Sequence, residues 1–152
     1  MKTLVIVFAV IIVILLGILA FYNPAKGPVT PLGAGSASSP DGHVTVVSPK
    51  PNSSVSSPIA VQGTVVGGGW FNEATFPVKI VDANGNVIGR GVAQAQSPAE
   101  WTSTGTVPFL ASIPFTDPAT ATGTVVFSKD NPSGLPANDE SFSVPIVFAH
   151  AQ

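Results

Sequence analysis

Four stretches of this chain repeat an apolar residue or a glycine at every second position: Ile59/Val61/Gly63/Val65, Phe76/Val78/Ile80, Phe109/Ala111/Ile113/Phe115 and Phe142/Val144/Ile146/Phe148. A period of two places each row on one face of an extended strand, and a helix does not bury such a row. Beyond residue 22, no ten-residue window free of Pro and Gly keeps a 3.6-residue apolar stripe. The pattern predicts an all-β domain with strands near 43–48, 58–66, 76–82, 86–93, 107–115, 122–128 and 142–148. About seven short strands in roughly a hundred residues, a chain of immunoglobulin-domain length, suggest an antiparallel β-sandwich with the four rows as its core.

Punctuation within the strands refines this expectation. Pro77, Pro114 and Pro145 cannot donate to a ladder, so their strands are expected at sheet edges or at bulges. Asn84-Gly85 lies between two apolar runs and marks a hairpin. A type I turn over Asp82-Ala83-Asn84, closed by Gly85 in the left-handed region, predicts a three-residue loop with Ile80 opposite Ile88.

Ahead of the β region the composition changes twice. Residues Leu4 to Phe21 carry no polar side chain, and fifteen of the eighteen are Leu, Ile, Val or Phe. As a helix the run is about 27 Å long, close to the hydrocarbon thickness of a bilayer. It exceeds the apolar region of a secretory signal peptide and continues into Phe21 and Tyr22, residues suited to a membrane interface. Residues 1–22 therefore read as a transmembrane anchor or uncleaved signal, with Lys2 directing the N-terminus to the cytoplasm and the remainder to the extracytoplasmic side of a cell membrane. Residues 23–42 hold four prolines and four glycines with few apolar side chains and read as a flexible linker. Residues 43–149 form the expected β-sandwich domain.

Past residue 22 the chain has five basic and eight acidic side chains without clusters, which argues against nucleic acid as a partner. With no cysteine, it has no disulfide, thiolate metal site or Cys-linked lipid.

The segment "VVGGGWFNEATFPVKIVD" concentrates the residues that invite a functional reading. Its triple glycine leads into Trp70 and another strand, matching neither a phosphate loop nor a dinucleotide fingerprint. Glu73 has no acidic neighbour along the chain nearer than Asp82, so paired acid–base chemistry lacks its second group. His43 and His150 lie at opposite ends of the domain without companions at metal-ligand spacing; no catalytic, metal or cofactor site is expected. Asp130, Asp139 and Glu140 match no calcium loop. Trp70, Phe71, Glu73 and Trp101 remain as candidate interaction residues, with Trp70 and Phe71 otherwise suited to closing one end of the core. Trp101, in a polar stretch, is the one expected at the surface.

The runs "SPKPNSSVSSPIAVQGTVVGGGWFNEATFPVKIVDANGNVIGRGVA", "PFLASIPF" and "DNPSGLPANDESFSVPIVF" resemble, in order and spacing, the immunoglobulin-like domain of bacterial spore-germination and sporulation proteins, the second Gmad-type domain. The resemblance extends over residues 43 to 148, and Trp70, Phe71, Glu73, Phe76 and Pro77 match its aromatic-acidic run. It implies a framework role for that run, no enzymatic activity, and frequent placement behind a membrane anchor. The expected function is a non-enzymatic, membrane-anchored extracytoplasmic module binding a protein or cell-envelope partner; the alternative is a carbohydrate- or peptidoglycan-binding domain using exposed aromatics.

Overall fold

The structure, a computed structural model, describes residues 35–149. The expected anchor and the linker up to residue 34 lie outside the described residues. Among the described residues no helix is long and apolar enough to cross a membrane. The secondary structure is strand, joined by turns and three single-turn 3-10 segments.

Nine strands form, in chain order β1 (Ala37–Ser38), β2 (Val44–Ser48), β3 (Ser54–Val55), β4 (Ile59–Val66), β5 (Thr75–Asp82), β6 (Val87–Ala95), β7 (Thr106–Ile113), β8 (Thr122–Ser128) and β9 (Ser141–Phe148). Seven correspond to the strands expected from alternation. The other two, β1 and β3, are only two residues long, too short to carry a period. Pairing begins at Ala37, inside the stretch read as linker, where Ala37 faces Val46 and Ser38 faces Thr45 of β2.

The spatial order is β1-β2-β4-β7-β6-β5-β8-β9-β3, a single hydrogen-bonded sheet rather than two separate ones. All neighbours run antiparallel except β3 and β9. The sheet curls at the β6–β7 seam, where pairing is confined to Gln94–Leu110 and Ala95–Phe109. By contrast β4 and β7 pair continuously from Ile59–Ile113 to Val66–Thr106. So short a seam lets the two halves face each other as sandwich layers do, consistent with an immunoglobulin-like fold. Phe109 of β7 reaches across to Phe76 of β5, ring centroids 4.9 Å apart, and to Phe127 of β8 at 6.2 Å.

The alternating rows supply the interior. Ile59, Val61 and Val65 of β4, Phe76, Val78 and Ile80 of β5, Phe109 and Ile113 of β7, and Val144, Ile146 and Phe148 of β9 are buried. Each such side chain contributes about 1.5–3 kcal/mol when removed from water. Ala111, Phe115 and Phe142, at the ends of their rows or beside the seam, are only partly covered.

Two local expectations need correction. β5, which contains Pro77, is interior, between β6 and β8. Pro77 pairs with Val92 of β6, and the ladder to β8 starts one residue later at Val78–Phe127, so the missing donor lies beyond that ladder. At the hairpin the three-residue loop forms with Gly85 at φ +86°, a left-handed conformation that favours glycine. Val81 faces Val87, but a bulge then places Ile80 opposite Gly89 instead of Ile88. The backbone of Ile88 is drawn to another partner: its carbonyl accepts the Thr116 N–H at 3.0 Å.

Candidate functional site at the loop end of the domain

Three connections meet around Trp70: residues 67–74, the 96–105 loop and the 129–140 loop. Gly67 N–H donates to the Gly105 carbonyl at 2.9 Å, and Asp130 N–H donates to the Trp70 carbonyl at 3.1 Å. Gly68 packs so closely on the backbone of Trp101 and Thr102 that a side chain there would collide with main-chain atoms. This contact explains one of the three glycines: a strand-to-strand connection is pressed against a neighbouring loop.

Trp70 is only 2% exposed, and Phe71 is buried beside it. Their rings pack on Phe76 with centroid separations of 6.0 and 5.2 Å, extending the interior aromatic chain to the loop end. Both are therefore framework residues and are not available to stack on a ligand. The Trp70 Nε1–H has no hydrogen-bond partner among the described residues. Trp101 follows a 3-10 turn at Pro98–Glu100 and is half-buried against the core, leaving part of its ring at the surface.

Glu73 is exposed at the tip of a two-residue turn closed by reciprocal Asn72–Thr75 backbone hydrogen bonds of 2.9 and 3.0 Å. Both central residues have positive φ, 49° for Glu73 and 64° for Ala74, a combination usually filled by Asn and Gly. Ala74 is nevertheless buried, and its carbonyl accepts the Ala95 N–H at 2.8 Å. Among the described residues no ion pair involves Glu73.

The 129–140 loop is held by its own polar side chains. Asn131 Nδ2 donates to the Leu135 carbonyl and to Asp139 Oδ1, each at 2.8 Å, and Asn138 Nδ2 donates to Ser133 Oγ at 3.0 Å. Lys129 N–H donates to the Glu140 carbonyl at 2.9 Å, closing the base. The bonds leave Leu135 60% exposed. A large apolar side chain thus stands on a preorganised polar loop.

A second cluster was not legible along the chain. Asp41, His43 and Glu140 bring one potential ligand atom each within 4.8 Å of one another. His43 Nδ1 lies 3.3 Å from Asp41 Oδ2 and 4.0 Å from Glu140 Oε1, while Lys129 Nζ lies 3.6 Å from Glu140 Oε2. Contact with Glu140, then hydrogen bonds from Ser39 Oγ and the His43 N–H, holds the Asp41 carboxyl well below the usual carboxylate range. Glu140 is pushed up by the same Asp41 contact and by burial, with Lys129 opposing. Asp41 and Glu140 are almost a hundred residues apart, and the first falls in the segment read as linker, so no spacing rule connects them. Only the β1–β2 hairpin and the start of β9 bring them together.

The buried carboxylate of this domain lies elsewhere. Asp82 is 4% exposed and accepts from Asn84 N–H, Asn86 N–H and Asn86 Nδ2 at 2.9, 2.8 and 3.0 Å. The Asn86 side chain leads the effects that hold its carboxyl below the ordinary range. Its oxygens are committed to the turn.

The model of the Gmad2 family, the immunoglobulin-like domain of bacterial spore germination, matches residues 43–135. The chain belongs to this family, whose matched span covers the first eight strands except β1 and all three candidate loops up to Leu135. No curated protein and no solved structure matches the chain. Asp41, Glu140 and β9 lie outside the matched residues.

Proposed function

We propose that this chain is a non-enzymatic, membrane-tethered module that displays its immunoglobulin-like domain outside the bacterial cytoplasm and binds a protein partner of the cell envelope. The observation that carries this reading is the 129–140 loop, where Leu135 is exposed on a framework of side-chain hydrogen bonds. Such a loop loses little conformational freedom on binding, and an exposed apolar residue with a polar surround resembles the centre and rim of a protein contact. Family membership and the apolar run at Leu4–Phe21 support the germination-related, anchored form of the proposal.

Burial of Trp70 and Phe71 leaves Trp101 as the exposed tryptophan for the glycan reading, and a single half-covered ring makes a poor sugar platform. The test is crosslinking of the full chain in its native envelope, beside sedimentation with purified peptidoglycan. Leu135→Asp is expected to abolish a specific protein crosslink. Cosedimentation with peptidoglycan that is lost in Trp101→Ala would replace this reading with the glycan one.

A further inference from the structure

We propose that Asp41, His43 and Glu140 form a binding site for a first-row divalent cation, with zinc as the best-suited ion, that fastens the N-terminal hairpin of the domain to the start of β9. The donor set is mixed, one imidazole nitrogen and two carboxylates. This composition suits zinc and its neighbours better than calcium or magnesium, which take oxygen ligands. Ligands about 2.0–2.2 Å from zinc lie roughly 3–3.6 Å from one another by simple geometry. The observed 3.3 and 4.0 Å separations from His43 Nδ1 need only a few tenths of an ångström of adjustment.

The surroundings are those of a held ligand set. Asp41 is fixed by Ser39 Oγ and by the His43 N–H at 3.0 Å, both on Oδ1, which leaves Oδ2 turned toward the imidazole. Ser39 is itself buried and receives the Val44 N–H at 2.9 Å, so the arm that carries Asp41 is anchored from beneath. Outer contacts of this kind orient metal ligands. One ligand oxygen each of Asp41 and Glu140 lies within 4.8 Å of the other, and Lys129 reaches only Glu140 among the ion pairs of the described residues, so a cation placed between the two carboxylates meets both. Asp41 and His43 are exposed, leaving solvent-side positions for water to complete the coordination.

The consequence is mechanical. The chain enters the domain through β1, a two-residue strand on the sheet edge, and β9 belongs to the opposite half of the curled sheet. A cation bridging Asp41 and His43 to Glu140 ties those halves together beside the point of entry.

The test is titration of the full chain, purified without chelator, with zinc chloride by calorimetry and by thermal melting. One equivalent is expected to bind and to raise Tm with zinc concentration. His43→Ala and Glu140→Gln are each expected to weaken binding about ten-fold or more, while Lys129→Ala strengthens it by removing the competing cation. His150→Ala should leave it unchanged. Calcium chloride in the same titration should bind more weakly than zinc. Absence of saturable zinc binding in the native chain, or binding of equal affinity in His43→Ala, overturns the proposal.

Discussion

Two turns of this domain use opposite solutions to the same geometric problem. At Asp82–Asn86 the residues suit the conformation: Gly85 takes the positive φ, and the Asp82 carboxylate binds the amides of Asn84 and Asn86. At Asn72–Thr75 the residues do not suit it, since Glu73 and Ala74 both adopt positive φ without a glycine. A left-handed conformation costs roughly 1–2 kcal/mol for an ordinary L-residue. The second turn must therefore be imposed by what flanks it. Phe71 on one side and Phe76 on the other pack ring to ring at 5.2 Å, and Ala74 is buried with its carbonyl accepting the Ala95 N–H of β6. One turn is made by its own residues and the other by the core to which it is attached.

The largest expected effect tests that attachment. Phe76 is fully buried and contacts Trp70, Phe71 and Phe109. Phe76→Ala should cost about 3–5 kcal/mol in urea denaturation, and hydrogen exchange at Thr75 should accelerate more than at Gly85. Equal acceleration at both turns would mean that the Glu73 turn has no special dependence on the core.

A smaller effect tests the self-sufficient turn. The folded-state pKa of Asp82 is depressed, so its stabilisation is fully present above the unfolded carboxylate value of about 4 and is lost as pH falls through the folded value. Asp82→Asn should lower the urea midpoint at pH 7 and reduce the acid-dependent loss of stability below pH about 4. An unchanged acid slope would remove Asp82 from the account of this hairpin.

The smallest effect has the opposite sign. Glu73→Asn replaces a residue that resists positive φ with one that tolerates it, and should stabilise the domain by about 0.5–1 kcal/mol. A loss of stability would show that the Glu73 side chain contributes more to the folded state than its backbone strain costs.

Much of the fold was legible because burial on one face of a strand leaves a period of two in the chain. The rows through Val61, Val78, Phe109 and Val144 identify β4, β5, β7 and β9 with their inward faces, and shorter runs of the same kind mark β2, β6 and β8. β1 and β3 left no such trace, since two residues cannot display a period, and their positions depend on the edges they cover. The site was less legible. Trp70 and Phe71 in a glycine-rich connection have the same composition whether they face solvent or core, and only the packing on Phe76 distinguishes the two.

Local chemistry by itself determined the all-β class, the inward rows and the Gly85 loop, because alternation and turn preferences act over a few neighbouring residues. Tertiary structure alone decided the curl at the β6–β7 seam, the strained Glu73–Ala74 turn and the meeting of Asp41 and His43 with Glu140. The curl and the three-residue cluster depend on contacts between segments far apart along the chain, whose separation in sequence carries no record of their distance in space, and the turn depends on the core that its flanking rings join.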